Sequence, residues 1–390
     1  MRIIGETHIP FLSYRRIAIA LSLVIIGAGI AYQLLGPGLI YGIDFVGGTQ
    51  VTVKFREQPD LGELRAAVAD LSAGSPLIQR FDEPEKHEVL IRVVNPEGEE
   101  GDFTRPILEL LKKEFNADLG DRFDLNTKGV AELLEMLTAA DPDGVGFDLE
   151  ARRAHYEPMA TAVLDHRKQH GIYRSVDELR SVVELSDPAR SYLEDATGAG
   201  AFALLAAENV GPAVGKDLKR KAQLAIVFSI IGMLIYIWVR FQLPYAVGAV
   251  VALVHDVLVT LTALAFTARE IDLPTIAALL TLVGYSVNDT VVIFDRVREN
   301  LRLHRGEALE KLMDLSINQT LSRTILTSGL TLMVVVSLFI FGGDVINTFA
   351  FVLLVGIIVG TYSSIFIASP VALGISRFLA KRKARRVRGR

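Results

Sequence analysis

Six apolar runs constrain this chain more than any other feature. A helix that crosses a bilayer needs about 20 predominantly apolar residues. The runs are 17–35, 222–239, 245–267, 274–294, 324–342 and 348–375. The last five follow one another with short joins, which argues against their being core helices of a large soluble protein. The first, Ile17–Leu35, has only Ser22, Tyr32 and Gln33 as side chains capable of hydrogen bonding, and Arg15 and Arg16 precede it. A signal peptide would carry a shorter apolar core ending in a small-residue cleavage site, so this run is read as an uncleaved anchor. The spacing predicts a six-span membrane protein with its one long hydrophilic block, 36–219, between spans one and two.

Charge is distributed just as unevenly. The formal net charge is −4, yet residues 36–219 hold 20 Lys/Arg and 34 Asp/Glu, while the other 206 residues hold 21 and 11. The strong basicity of a nucleic-acid binder is absent. With no Cys there is no disulfide framework, thiolate metal site or thiol nucleophile. Lys and Arg gather on the cytoplasmic side of membrane proteins. Here they gather in 1–16 (Arg2, Arg15, Arg16), at Arg240, in the 295–322 loop and in the tail 376–390, whereas the opposite links carry only Arg269. Both termini and the 295–322 loop are therefore expected in the cytoplasm, with 36–219 outside. The last 14 residues hold 8 basic ones. They fix topology and suit anionic lipid, at about 1 kcal/mol per basic residue near such a surface.

Within the block, Thr49–Phe55 and Glu88–Val94 alternate as strands do, and Leu61–Leu71 and Thr104–Phe115 show helical stripes. Phe202–Val210 reads as a late strand and Leu77–Phe81 as a further one. That order predicts a ferredoxin-like α+β domain. Residues 116–199 interrupt it as a helical insertion. Asn126 or Thr127 is expected to start one helix. His166–Leu179 is expected to be helical, with Ser175 and Glu178 forming a capping box. The stretch resembles helix-hairpin-helix modules of DNA-uptake proteins, but the hairpin glycines are missing and the segment is acidic, so a structural role is preferred and nucleic acid is disfavoured. His166 and His170 are spaced as ligands on one helix face, with no third ligand at a fitting spacing.

An ionisable side chain inside a span is costly and marks function. His255 and Asp256 lie in the third span, Asn288 and Asp289 in the fourth, and Arg323 at the start of the fifth. At 100° per residue, Tyr285 shares a face with Asp289, and Arg323 shares one with Thr320, Thr327 and Thr331. If the two stripes face each other, Asp289 pairs with Arg323 and the threonines pass hydrogen bonds along the helix. A static salt bridge, or an Arg323 that reaches to the membrane surface, is the plainer alternative. No Walker loop, nucleophile elbow or metal set stands out, so an enzyme is not expected, nor a cofactor.

Four motifs fall in order along this topology: YGIDFVGGTQ at 41–50, ENVGPAVGKDL at 208–218, LVGYSVNDTVVIFDRVREN at 282–300 and INQTLSRTILTSGLTL at 317–332. With the His255-Asp256 pair they resemble the SecF family, membrane subunits of the bacterial Sec protein-export machinery related to RND transporters. Gly42, Gly47 and Gly48, next to Asp44, suit a sharp turn from helix to strand, and Gly211, Pro212 and Gly215 suit the return. The resemblance implies a six-span RND-like half in the bacterial cytoplasmic membrane, with its large domain on the periplasmic side. It implies a separate, homologous SecD partner and association with the SecYEG channel. The pair would use the proton-motive force to help exported, unfolded polypeptides leave that channel. Asp289 and Arg323 would lie on the proton pathway, with Asn288, Thr327 and Asp256 beside them. Half of an RND-like small-molecule exporter is the competing reading, disfavoured by the single modest external domain.

Overall fold

The computed structural model describes residues 7–71, 76–81, 86–94, 101–116, 119–120 and 122–388. Arg2 and Arg390, used above for topology, lie outside them. The chain divides into two compact units, one made of residues up to Phe45 together with Asp217 onward, the other of Val46–Lys216.

The first long helix, α1 (Arg15–Leu35), belongs to the first unit. Most of its apolar surface faces outward, Ile17 and Leu34 being more than 70% exposed. Its buried positions are Ala18, Ser22 and Gly29, a small-residue stripe at helical spacing. Small residues let helix backbones approach closely where no hydrophobic effect drives packing.

The Val46–Lys216 unit is built on four antiparallel strands: β1 (Gly48–Phe55), β2 (Leu77–Phe81), β3 (Glu88–Val93) and β4 (Phe202–Val210). Their order in the sheet is β2-β3-β1-β4. Helix α2 (Leu61–Val68) lies between β1 and β2 in sequence, and α3 (Thr104–Phe115) between β3 and β4. Val51, Val53 and Phe55 alternate into a core with Ile91 and Val93, covered by Leu64, Val68, Ile107 and Leu111. That is the period-2 face of a sheet closed by two amphipathic helices. Asp60 caps α2 by accepting from the Gly62 backbone N–H.

Between α3 and β4 lie α4 (Val130–Ala140), α5 (Leu149–His170) and α6 (Asp187–Ala196), with a core of their own around Leu133, Leu137, Tyr156, Tyr173 and Leu193. Two expectations are corrected here. Residues 166–179 are not one helix: α5 stops at Gly171, whose φ of 82° suits glycine, and a separate 3₁₀ turn spans Val176–Ser181. Ser175 does cap that turn, and Glu178 accepts from the Arg174 N–H at 2.9 Å. Asn126 starts no helix. It is fully buried, donating to the Tyr173 and Gly200 carbonyls at 2.8 Å each and accepting from the Tyr173 N–H at 2.8 Å. Asp124 accepts from the backbone N–H groups of Asn126 and Gly200, and Asn116 accepts from that of Ala201. The two ends of the insertion are thereby tied together at one buried polar knot.

The glycine motifs divide. Gly47 (φ 83°) and Gly48 (φ 146°) need glycine, because a Cβ on the first would lie 2.7 Å from Pro212 Cα and on the second 2.5 Å from the Val93 carbonyl oxygen. Gly211 has open space around it and no positive φ, and the Gly215 N–H simply bonds the Gly211 carbonyl at 3.0 Å at a helix start. The chain does pass from strand to helix at Gly211, between Val210 and Pro212, but nothing around Gly211 demands glycine, and Gly215 lies inside the helix.

The long helices that follow are α7 (Pro212–Arg240), α8 (Leu243–Phe266), α9 (Leu273–Leu303), α10 (Leu309–Phe341) and α11 (Asp344–Ser363), then a π-helical turn (Ser364–Ala368) and α12 (Ser369–Arg388). Among the described residues, six stretches are long and apolar enough to cross a membrane, the last running through α11, the π turn and into α12. In the unit they share with α1, α8, α9 and α11 are the most buried, while α7 and α10 expose apolar side chains such as Val239, Met333 and Phe341. The 295–322 segment is helical except at 304–308, not a loop. Its polar start on α10 holds the N-terminal segment: Asp314 accepts from the Leu12 N–H and Asn318 from the Ile9 N–H, both at 2.9 Å, and Glu310 pairs with Arg15 and Arg377. In the same unit the Gly42 N–H donates to the Ile271 carbonyl at 2.8 Å. Asp44 accepts from the Leu273 N–H at 2.9 Å, so it caps the start of α9 alongside Asp272.

Candidate functional site

Helices α9 and α11 meet through glycine. A Cβ on Gly356 would fall 2.4 Å from Leu282 Cδ1, and one on Gly360 would fall 3.1 Å from the Ser286 side chain. This G-x-x-x-G spacing on α11 permits the close approach. The next residue, Thr361, then reaches the buried carboxylate of Asp289, which is 3% exposed. Asp289 Oδ2 accepts from Ser328 on α10 at 3.0 Å, Ser328 in turn accepts from Thr361 at 3.0 Å, and the Thr361 hydroxyl lies 3.5 Å from Asp289 Oδ2. No cation pairs with Asp289 among the described residues.

Arg323 is not brought to Asp289. It is exposed on α10 and forms no ion pair among the described residues. The stripe of α10 that turns inward is Thr320, Thr324 and Ser328, all buried, and Arg323 sits one residue, about 100°, off it. Both stripes carry threonines, so the helical wheel alone did not separate them; burial favours the uncharged one. The threonines do not relay to one another. Thr327 donates to the Arg323 carbonyl and Thr331 to the Thr327 carbonyl, both at 3.0 Å, which are backbone contacts within one helix. The Tyr285 hydroxyl is buried without a partner among the described residues rather than bonded to Asp289. Asn288 is exposed and faces a groove between α7 and α9, lined by Ser229, Gly232, Tyr236 and Gly284.

Asp256, 1% exposed on α8, forms a second buried centre. His255 Nδ1 lies 2.9 Å from its Oδ1, and Oδ2 accepts from Ser363 at 2.8 Å and from Ser286. Sequence reasoning missed the hydroxyls of Ser286, Ser328, Thr361 and Ser363. Their signal was faint: single small polar residues within long apolar runs.

The fold and these two centres define a multi-pass membrane protein whose helix bundle encloses ionisable side chains. The family description "Protein export membrane protein SecD/SecF, C-terminal" matches residues 192–377, and "SecD/SecF GG Motif" matches 34–59. A protein translocase subunit SecF from Koribacter versatilis is 40% identical, the alignment covering 98% of this chain and 95% of the relative. One from Calditerrivibrio nitroreducens is 37% identical over 94% of this chain and 93% of the relative. A crystal structure of SecDF from Thermus, described as a translocon-associated membrane protein, superposes with a TM-score of 0.64 at 27% identity, covering 95% of this chain and 39% of that one. The chain thus spans about two fifths of the SecDF polypeptide. It belongs to the SecF family of protein translocase subunits.

Proposed function

We propose that this chain works with a SecD partner and the SecYEG channel to promote export of unfolded polypeptides, and that Asp289 takes up and releases the proton that couples this to the proton-motive force. The observation that carries the reading is a carboxylate buried between α9, α10 and α11 whose partners are neutral hydroxyls. An unpaired charge away from water is costly, so a proton is the balancing charge for which this geometry leaves room. Arg323 and Ser328 lie five residues, about 140°, apart around α10, so a turn of the helix by about that angle would exchange Ser328 for the Arg323 side, giving Asp289 a proton-dependent partner. Asn288 supports a SecD-like neighbour, since a polar side chain facing out of a bundle within the membrane calls for a protein surface to cover it.

The Lys/Arg asymmetry supports a topology with both termini in the cytoplasm and 36–219 on the periplasmic side of the inner membrane. The basic tail then lies where anionic lipid headgroups are available.

Asp289→Asn keeps size and hydrogen bonding but removes the titratable proton. In reconstituted or whole-cell export it is expected to abolish the proton-driven component while leaving membrane insertion intact. The double change Asp289→Asn with Arg323→Gln distinguishes a static ion pair, which tolerates joint neutralisation, from a proton site, which does not. Recovery of proton-driven export in the double variant would overturn the reading.

A further inference from the structure

Three consecutive side chains at the end of α11 face three different neighbours. Thr361 donates to Ser328, which donates to Asp289, and its hydroxyl lies 3.5 Å from that carboxylate. Tyr362 donates its hydroxyl to the Ala18 carbonyl on α1 at 2.8 Å and lies 3.2 Å from Ser22 Oγ. Ser363 donates to Asp256 on α8 at 2.8 Å. Successive residues project about 100° apart, so these contacts hold the helix in rotation from three sides.

The Asp256 side of this clamp is itself braced. His255 Nδ1 contacts Asp256, and its Nε2 lies 2.9 Å from Ser22 Oγ, which returns the network to Tyr362. Ser286 joins α9 to the same carboxylate one helical turn before Asp289. Immediately after Ser363 the helix widens into the π turn Ser364–Ala368, and a Cβ on Gly248 of α8 would lie 2.6 Å from the Ala368 carbonyl. π turns inside helices often mark places where a helix changes register for a function.

We propose that His255 and Asp256 are a positioning pair for Asp289: through Ser363 and Tyr362 they fix the rotation and register of α11, and so hold the Thr361 hydroxyl beside the Asp289 carboxylate and on its hydrogen-bond donor Ser328. This deepens the proton-site reading and rests on it. Asp256 has no hydrogen bond to Asp289 or to its hydroxyl partners among the described residues, so its influence passes through the helices. The titratable and charged groups along the middle of the elements packed around Asp289 are His255 and Asp256 on α8, Tyr285 on α9, Arg323 on α10 and Tyr362 on α11; Tyr245 at the start of α8, the charged residues 295–302 of α9, and Glu310, Lys311 and Asp314 of α10 lie toward the helix ends.

The test is the pH dependence of Asp289 modification by a hydrophobic carbodiimide. It is read by peptide mass spectrometry on the full-length chain in lipid nanodiscs. Thr361→Val removes the hydroxyl that donates to Ser328 beside the carboxylate and sets the reference shift of the labelling midpoint. Ser363→Ala, which changes no charge, is expected to move the midpoint in the same direction by about half a pH unit or more, since hydrogen bonds to the charged form shift a carboxyl's titration. Ser363→Thr retains the hydroxyl and is expected to restore the wild-type midpoint. Tyr362→Phe, a mild change that keeps the ring, serves if Ser363→Ala fails to fold. A wild-type midpoint in Ser363→Ala, or in Tyr362→Phe where that variant stands in, overturns the proposal. The labelling readout is independent of export, so an Asp289→Asn chain that still exports would count against the proton-site reading and leave this measurement standing.

Discussion

Gly47 packs directly on Pro212: a side chain at position 47 would place its Cβ 2.7 Å from the proline Cα. The strand that opens the sheet unit and the segment that follows its last strand therefore meet at a point where only hydrogen fits. The left-handed φ of 83° at Gly47 adds a backbone reason for the same residue.

Gly47→Ala is thus expected to destabilise the Val46–Lys216 unit by about 1–3 kcal/mol, the range for a strained backbone position. Gly211→Ala, with open space and no positive φ, should stay within about 0.5 kcal/mol of the parent. Thermal unfolding of the full-length protein followed by near-ultraviolet circular dichroism compares the two. Equal losses would show that the close approach at Gly47 is not what requires glycine.

Replacing the whole of 116–199 by a short Gly/Ser linker should leave the four-stranded sheet folded, because the insertion has its own core and its ends meet at the Asn116–Asp124–Asn126 knot. Asn126→Ala should by contrast unfold the insertion selectively. It strands three hydrogen-bond partners in a buried site, at about 1–3 kcal/mol for each group left unsatisfied. Hydrogen exchange resolved by peptide decides this: protection should fall across 130–196 and persist in β1, β3 and β4.

The insertion should also show a bounded pH range of stability. At Asp141 burial pushes the carboxyl up, but the Val145 and Gly146 N–H groups, the Tyr156 hydroxyl and Arg152 outweigh it and hold it below the usual value. A lowered folded value stabilises above the unfolded value and is lost as pH falls through the folded one. Burial pushes the Tyr156 hydroxyl up to about 12. A raised folded value stabilises below the unfolded value, about 10 for Tyr, and is lost as pH rises toward the folded one. Melting temperature should therefore decline below about pH 4 and again above about pH 10. Tyr156→Phe should weaken the alkaline decline, and an unchanged profile would remove Tyr156 from it.

Protease added to right-side-out spheroplasts is expected to cut within 36–219 and to spare the basic tail. Cleavage of the tail with sparing of the block would reverse the topology.

The sequence alone set the number and place of the apolar helices, because lipid demands about 20 apolar residues per crossing and no tertiary contact can substitute for them. It also determined the strand and helix order around 49–115, since period-2 and period-3.6 patterns are local. It pointed to Asp256 and Asp289, because a carboxylate in an apolar run is conspicuous on composition alone. What faces those carboxylates was decided only by the fold. Thr324 and Ser328 turn inward and Arg323 outward on the same helix, a choice of rotation that a helical wheel cannot make without its neighbours. Thr361 reaches Asp289 because Gly356 and Gly360 let α11 lie close on α9. That close approach depends on packing between segments about 70 residues apart, and side-chain hydroxyls scattered through apolar runs acquire their role only when such packing brings them to a buried charge.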